Sequence, residues 1–212
     1  MKDFPVFTTA YGAASLILKE VPYRGEAYIR LQSTQEPEQL LSECISFCSA
    51  CGAERIYAAG DAFLERYSLH TAIWQMKGML SLCEEEIPAM FPVTEQTVSR
   101  WRDLYNQKMQ RIDNAATLEA RDEERIVSSG GAYFVHRSGE LLGIGWLEDC
   151  KLLAVAAAKP GAGERVMHTL MSLVEGDEMT LEVASTNQRA IRLYEKLGFL
   201  KRREISRWYA IP

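Results

Sequence analysis

The sequence predicts an α/β (α+β) fold in which helices flank a mixed sheet. Three observations support this prediction. A strand–turn–helix run spans Leu181 to Phe199, a second one begins at Lys151, and two strands joined by a tight turn precede both, at Ala132–His136 and Leu141–Leu147. In each run, the period of the apolar residues changes from two, which is typical of strands, to about 3.6, which is typical of helices.

The run from Leu181 to Phe199 has the most specific pattern. Asn187 is a favourable N-cap, and Gly198 stands where a helix commonly ends in a left-handed residue. Four residues recur at helical spacing: Ala190, Ile191, Tyr194 and Leu197. One face of the predicted helix is therefore apolar and carries a phenol.

A phenol at this place could serve as a general acid, for example in acyl transfer from a thioester to an amine. That reaction needs a base for the amine, donors for the carbonyl oxygen and an acid for the leaving sulfur. A phenol of pKa about 10 stays protonated at neutral pH and can protonate a thiolate of pKa about 8.5. The alternative is that Tyr194 is a packed residue whose hydroxyl is satisfied.

The residues Asn187, Ala190, Leu193-Tyr194-Glu195-Lys196 and Gly198-Phe199 closely resemble the signature of the GCN5-related N-acetyltransferases (GNAT). The resemblance implies a mostly antiparallel sheet, acetyl-CoA as the cofactor, and the primary amine of a small molecule or peptide as the acceptor. It also implies that Tyr194 protonates the departing thiolate and that Asn187 contacts the cofactor. The alternative function is a degenerate module that binds an acyl-CoA without turnover.

The second run contains a turn, Gly161-Ala162-Gly163, before a helix. Small residues let backbone N–H groups approach a pyrophosphate, and the helix N-terminus adds partial positive charge. The turn partly resembles the GNAT acetyl-CoA loop, written Gln or Arg, two residues, Gly, one residue, Gly or Ala. Aligned on the glycines, Ala158 takes the first position; an ungapped alignment puts Pro160 there and Arg165 at the last small position. Either alignment lacks one consensus element.

The resemblance implies that the cofactor site comprises Val155, Ala156, Ala157, Gly161, Ala162, Gly163, Glu164, Arg165, Asn187 and Tyr194. Lys159 and Arg165 are expected to pair with phosphates and to compensate in part for the missing consensus element.

Glu182 is the predicted base. It precedes Tyr194 by twelve positions, which resembles the ribosomal-protein N-terminal acetyltransferase branch, where the matching glutamate deprotonates the amine. Strand alternation puts Glu182 opposite its buried neighbours, facing either the cleft or solvent. An ordinary surface carboxylate is the alternative role for Glu182. Glu148 is the rival base, and Glu84 to Glu86 are more distant candidates.

The first ninety residues are predicted to form a strand, a helix, a strand, a helix and a strand at 27–33, 38–50, 55–59, 62–66 and 69–76. This order resembles that of the second half of a GNAT domain. The first strand-to-helix turn, Thr34 to Glu38, has no glycine and carries two carboxylates, which would repel phosphate. We therefore predict a degenerate, non-catalytic GNAT-like N-terminal domain over 1–88 that shapes the acceptor cleft, and a catalytic domain over 89–212. The segment Cys83–Pro92 is the predicted boundary.

Two helices are predicted before the tight turn, one capped by Thr94 with a stripe from Val98 to Ile112, and one over Ala116–Ile126. Gly143 and Gly145 are expected to mark a bulge or a close approach of the backbone.

Cys44, Cys48 and Cys51 have the spacing of an iron–sulfur cluster that binds S-adenosylmethionine. The three cysteines, and Phe47 between them, also lie where the buried face of a helix would place them. We predict that they are core residues of this helix. Cys83 and Cys150 have no partner by any spacing rule, which favours a reducing compartment.

With a net charge of −5, the chain is not expected to bind nucleic acid, while a cationic amine acceptor is compatible. No apolar run approaches the roughly 18 residues of a membrane span, so no membrane partner is predicted. We expect a cytoplasmic monomer or homodimer. Three isolated histidines, His70, His136 and His168, are expected to be ordinary side chains, and the segments Glu84–Phe91 and Trp208–Tyr209 are expected to face the acceptor.

Overall fold

The computed structural model describes residues 5–79 and 88–212. The chain divides into two compact units: one takes the residues up to Ile73 together with Glu204–Pro212, and the other runs from Trp74 to Arg203. No helix within the described ranges is long and apolar enough to cross a membrane.

The first unit consists of a sheet with a helix on one face. Its elements are β1 (Val6–Thr9), β2 (Gly12–Ile17), α1 (Val21–Arg24), β3 (Glu26–Thr34), α2 (Pro37–Ala50), β4 (Arg55–Ala59), a 3₁₀ turn (Ala62–Arg66), the start of β5 (Ser68–Met79) and the end of β11 (Leu200–Ile211). β1 with β2, β2 with β3, and β4 with β11 are antiparallel, whereas β3 with β4 is parallel.

Helix α2 packs its apolar face on this sheet. Cys44 and Cys48 are fully buried beside Leu40 and Leu41, as predicted, and burial raises the pKa of Cys44 to about 12 and that of Cys48 to about 11. The prediction is wrong for Cys51, which is exposed because the helix ends at Ala50.

Phe47 is also wrongly predicted as core, since it is 43% exposed and packs against Phe7 at a ring separation of 5.6 Å. The stretch of α2 between Leu41 and Cys48 therefore buries a narrower stripe than the sequence suggested.

The second unit is a mostly antiparallel sheet with helices on both faces. Its elements are the end of β5, β6 (Ala89–Pro92), α3 (Val98–Met109), a 3₁₀ turn (Ala120–Asp122), α4 (Glu123–Ser128), β7 (Ala132–Arg137), β8 (Glu140–Glu148), β9 (Lys151–Ala157), α5 (Gly163–Met171), β10 (Glu178–Ala184), α6 (Gln188–Lys196) and the start of β11. The strand order is β5-β10-β9-β8-β7-β6. Only the β9–β10 pair among β6 to β10 is parallel.

Two cores lie on opposite faces of this second sheet. Helices α5 and α6 bury Met167, Leu170 and Ile191 on one face, and α3 and α4 bury Trp101 and Ile126 on the other. The predicted mixed, mostly antiparallel sheet flanked by helices is therefore confirmed.

The glycines of β8 allow α5 to approach closely. A Cβ atom on Gly145 would lie 2.3 Å from Leu170 Cδ1, and one on Gly143 would lie 2.8 Å from Val166 Cγ2. The close approach predicted from these glycines is confirmed.

Helix α3 begins later than predicted. The N-cap of α3 is Thr97. Thr94 belongs to the preceding turn, where the N–H of Thr94 donates to Thr97 Oγ1 at 2.9 Å. Ile112 lies beyond the end of α3, which is Met109.

The helix predicted over Ala116–Ile126 is replaced by the 3₁₀ turn and α4. Glu119 and Asp122 cap the turn reciprocally, and this fixes its start. Asn106 holds the backbone of Leu118 in a non-helical conformation through two hydrogen bonds of 2.9 Å.

The predicted boundary segment lies mostly outside the described residues, because 80–87 are not described. Ala89–Pro92, at its end, forms β6 and pairs with β7. The domain limits 1–88 and 89–212 stay predictions. Both units share one order, an antiparallel meander followed by a helix and a parallel strand, which supports the proposal of a degenerate N-terminal copy.

Candidate functional site

The parallel strands β9 and β10 pair only at their beginnings. Thr180 lies opposite Lys151 and Leu181 opposite Leu152, and no further pair forms along these two fully described strands. Val155–Ala157 pair with β8 on their other side. On the edge of β9 that faces β10, backbone groups of Val155–Ala157 therefore have no strand partner. A ligand can form hydrogen bonds with these groups.

The turn after β9 leads directly into α5. Gly161 has a left-handed φ of 80°, and a Cβ atom placed there would meet no atom of the described residues within 4 Å. Ala162, the N-cap residue, is 4% exposed and has no polar side chain to cap the helix. Glycine is required at Gly161 by its backbone conformation, and the space around it is open.

The N-terminus of α5 presents unused donors. Val166 N–H donates to Ala162 O at 3.0 Å, whereas the N–H groups of Gly163, Glu164 and Arg165 have no hydrogen-bond partner in the described part of the chain. Together with the partial positive charge of the helix terminus, these donors form an arrangement suited to a phosphate group.

Gly163 also has a packing role. A Cβ atom there would lie 3.1 Å from Leu193 Cδ2 of α6, so a larger residue would press on that helix. A Gly163→Val substitution therefore perturbs the α5–α6 contact together with any ligand bound at the turn.

The charged side chains at the turn have partners within the protein. Lys159 pairs with Glu140 and holds the pKa of that carboxyl below its ordinary value. Lys196 of α6 lies 2.6 Å from Glu164 and likewise lowers its pKa. Both pairs are exposed to solvent and therefore contribute little to stability. Arg165 is exposed on the first turn of α5.

Helix α6 has the predicted caps at both ends. Asn187 Oδ1 accepts from Ala190 N–H at 3.2 Å. Gly198 has a φ of 84°, Phe199 N–H donates to Tyr194 O at 2.9 Å, and Gly198 N–H donates to Glu195 O at 3.0 Å. These two bonds constitute a Schellman motif, and they fix the turn of helix that carries Tyr194.

Tyr194 lies in the core between α5, α6 and the sheet. It is 7% exposed, and its ring lies 6.0 Å from that of Phe199. Its hydroxyl has no hydrogen-bond partner within the described residues. Burial raises the pKa of Tyr194 to about 12, so the phenol stays protonated at neutral pH.

The candidate bases lie in ion pairs. Glu182 is exposed between buried Leu181 and Val183, and its Oε1 lies 2.5 Å from Lys151 Nζ. Glu148 Oε1 lies 2.9 Å from Arg125 Nη2. Glu84 to Glu86 lie outside the described residues. The assignment of the base to Glu182 stays a prediction.

The histidines and the C-terminal aromatic residues have structural contacts. His70 stacks on Tyr57 at 3.9 Å, and His136 meets Phe91 edge-on at 5.3 Å. Trp208 and Tyr209 lie on strand β11, and both are buried. Among the described residues, no three of His, Cys, Asp or Glu are grouped to hold a metal ion.

Sequence reasoning missed two contacts at the site. Lys108 Nζ of α3 donates to Ala158 O at 2.9 Å, and Thr186 Oγ1 donates to Asp113 Oδ2 at 2.6 Å. For the contact of Lys108, the sequence offered one indication: this lysine follows Trp101 by seven residues and so lies on the helix face that carries apolar residues.

Residues 79–199 match the family described as "Acetyltransferase (GNAT) family". Among solved structures, a GNAT-family acetyltransferase from Colwellia psychrerythraea is 14% identical, with a TM-score of 0.52 over 98% of this chain and 84% of that one. A GCN5-related N-acetyltransferase from Anabaena variabilis is 12% identical, with a TM-score of 0.63 over 94% of this chain and 59% of that one.

A functionally unknown conserved protein from Staphylococcus epidermidis is 7% identical, with a TM-score of 0.59 over 99% of this chain and 94% of that one. At these identities the similarities show the fold alone. No curated protein matches the chain. Since the family match spans more than half of the sequence, the chain belongs to the GNAT acetyltransferase family.

Proposed function

We propose that the protein is an N-acetyltransferase that transfers an acetyl group from acetyl-CoA to a primary amine of a small molecule or peptide. The observation that carries this proposal is the buried, protonated Tyr194, whose hydroxyl has no partner in the described part of the chain. It lies on α6, the helix that follows β10, and β10 pairs with β9 only at the beginnings of the two strands.

The residues present fit an acyl-CoA. The unpaired edge of Val155–Ala157 offers backbone hydrogen bonds to an extended amide-containing chain. The open turn at Gly161–Gly163 and the free N–H groups through Arg165 suit a diphosphate. Asn187, at the start of α6, is a further proposed contact to the cofactor. When bound, acetyl-CoA supplies an activated thioester.

Two side chains are proposed to move protons. Tyr194 holds a proton on its phenol oxygen at neutral pH and supplies it to the sulfur as the bond between the acetyl carbon and that sulfur breaks. Glu182 accepts the proton of the acceptor ammonium, directly or through a water, after exchanging its contact with Lys151. Breaking the ion pair with Lys151 costs little free energy, because an exposed ion pair contributes only about 0.2–1 kcal/mol to stability.

The alternative is a module that binds acyl-CoA without turnover, and the altered turn at Ala158 is the feature that favours it. Isothermal titration with acetyl-CoA, combined with a thiol-release assay over a panel of amines, separates the two. Heat with amine-dependent thiol release supports the enzyme. Heat without thiol release for any amine supports the module, and the absence of both overturns the two proposals. Cytoplasmic location and a monomeric or homodimeric state remain predictions.

A further inference from the structure

Lys108 connects helix α3 to the turn that follows β9. Its Nζ donates to the backbone carbonyl of Ala158 at 2.9 Å, fifty residues away in sequence. Lys108 is partly buried, and it lies in the last turn of α3. A lysine at this place commonly interacts with the carbonyls of its own helix, but this one donates to the turn.

The surrounding structure fixes the position of Lys108. Trp101, seven residues earlier, lies on the same face of α3, is fully buried and donates from Nε1 to Tyr133 O at 3.1 Å. Asn106 bonds both backbone groups of Leu118. Because α3 is held at these points, it cannot rotate freely, and Lys108 is kept at the C-terminal end of β9.

The charge of Lys108 is not balanced within the described residues. Five other lysines pair with carboxylates: Lys77, Lys151, Lys159, Lys196 and Lys201. Lys108 has no carboxylate partner in that part of the chain; its ammonium group uses one donor on a neutral carbonyl. A partly buried cation without a counter-charge is unfavourable, so an anionic ligand at this place would gain from it.

The ligand that fits is the diphosphate of the proposed cofactor. Ala158 occupies the position at which the glycine-aligned family pattern has glutamine or arginine, and it contributes no polar side chain. The neighbouring Lys159 is engaged with Glu140. Lys108 contacts the backbone at Ala158 and retains two further donors.

We propose that Lys108 is a diphosphate-binding residue, which supplies from α3 the positive charge that Ala158 cannot supply. This inference rests on the proposed function, because it requires that the protein bind a coenzyme A.

The test is isothermal titration of coenzyme A and of 3′-dephospho-coenzyme A into three proteins: wild type, Lys108→Gln and Lys108→Arg. Glutamine keeps a donor for Ala158 O and removes the charge, whereas arginine keeps both. We expect Lys108→Gln to weaken both ligands by the same factor, about 10- to 100-fold, and Lys108→Arg to bind within about threefold of wild type. Lys201→Gln, which removes an exposed ion-paired lysine, is the matched control.

Three results would overturn the inference while leaving the proposed function intact. These are wild-type affinity in Lys108→Gln, a loss confined to coenzyme A with its 3′-phosphate, or equal losses in Lys108→Gln and Lys108→Arg. If wild type itself binds neither ligand, the proposed function fails and the inference fails with it. Circular dichroism of each variant confirms that the fold is kept.

Discussion

Substituting phenylalanine for Tyr194 removes one hydroxyl from a side chain that is 7% exposed and keeps the ring against Phe199. If the phenol supplies the proton to the leaving sulfur, kcat should fall by roughly 10²–10⁴-fold, which corresponds to about 3–5 kcal/mol of the barrier. Affinity for acetyl-CoA should stay within about twofold, because the ring at the cofactor site is kept and the lost hydroxyl acts in the transition state.

The same substitution should leave stability nearly unchanged at neutral pH. The hydroxyl has no hydrogen-bond partner within the described residues, so its removal leaves no donor or acceptor unsatisfied. We expect the free energy of unfolding to change by less than about 1 kcal/mol. A tyrosine with only a structural role would show the opposite result, an unchanged kcat and a lower stability.

The raised pKa gives an independent signature at alkaline pH. The unfolded chain releases the phenol proton near pH 10, whereas the folded protein keeps it until about pH 12. The contribution of this proton to the free energy of unfolding is therefore fully present below pH 10. It is lost as the pH rises toward 12, by roughly 3 kcal/mol in total. Tyr194→Phe should lack this contribution, whereas Cys44 and Cys48, whose pKa values burial also raises, contribute equally to the alkaline loss of stability in both proteins.

Thiol release at saturating substrates gives kcat, and urea unfolding followed by circular dichroism gives stability at each pH. An unchanged kcat in a folded Tyr194→Phe protein would refute the acid role. Equal alkaline losses of stability in wild type and variant would refute the burial of the phenol.

Three further results are expected. Glu182→Gln should abolish the acidic limb of the pH–rate profile; an unaltered profile there, with the limb lost in Glu148→Gln, would move the base to Glu148. Gly145→Ala should lower the free energy of unfolding by about 1–3 kcal/mol in urea titration, because the new methyl would lie 2.3 Å from a side-chain carbon of α5; an unchanged midpoint would contradict this. Cys44 and Cys48 should react with a thiol reagent only after unfolding, since burial raises the pKa of both; mass spectrometry of the native protein showing modification at either would contradict their burial.

The sequence alone was sufficient where an element is specified by neighbouring residues. Helix α6 is the clearest case, because Asn187 and Gly198 cap it through bonds that span three to five residues. The strand, glycine turn and helix from Lys151 onward were also predicted, since period and turn residues are local properties. The start of α3 was missed because two threonines, Thr94 and Thr97, both suit an N-cap.

Tertiary structure decided the features that depend on residues distant in sequence. The pairing of β9 and β10 stops at Leu152 and Leu181, and no local pattern encodes where two strands part. The burial that raises the pKa of Tyr194, and the reach of Lys108 to Ala158, both arise from how helices pack on the sheet. Hydrogen bonds within a few residues follow from the order of the amino acids, whereas burial and charge at a site follow from contacts that form only when the whole core assembles.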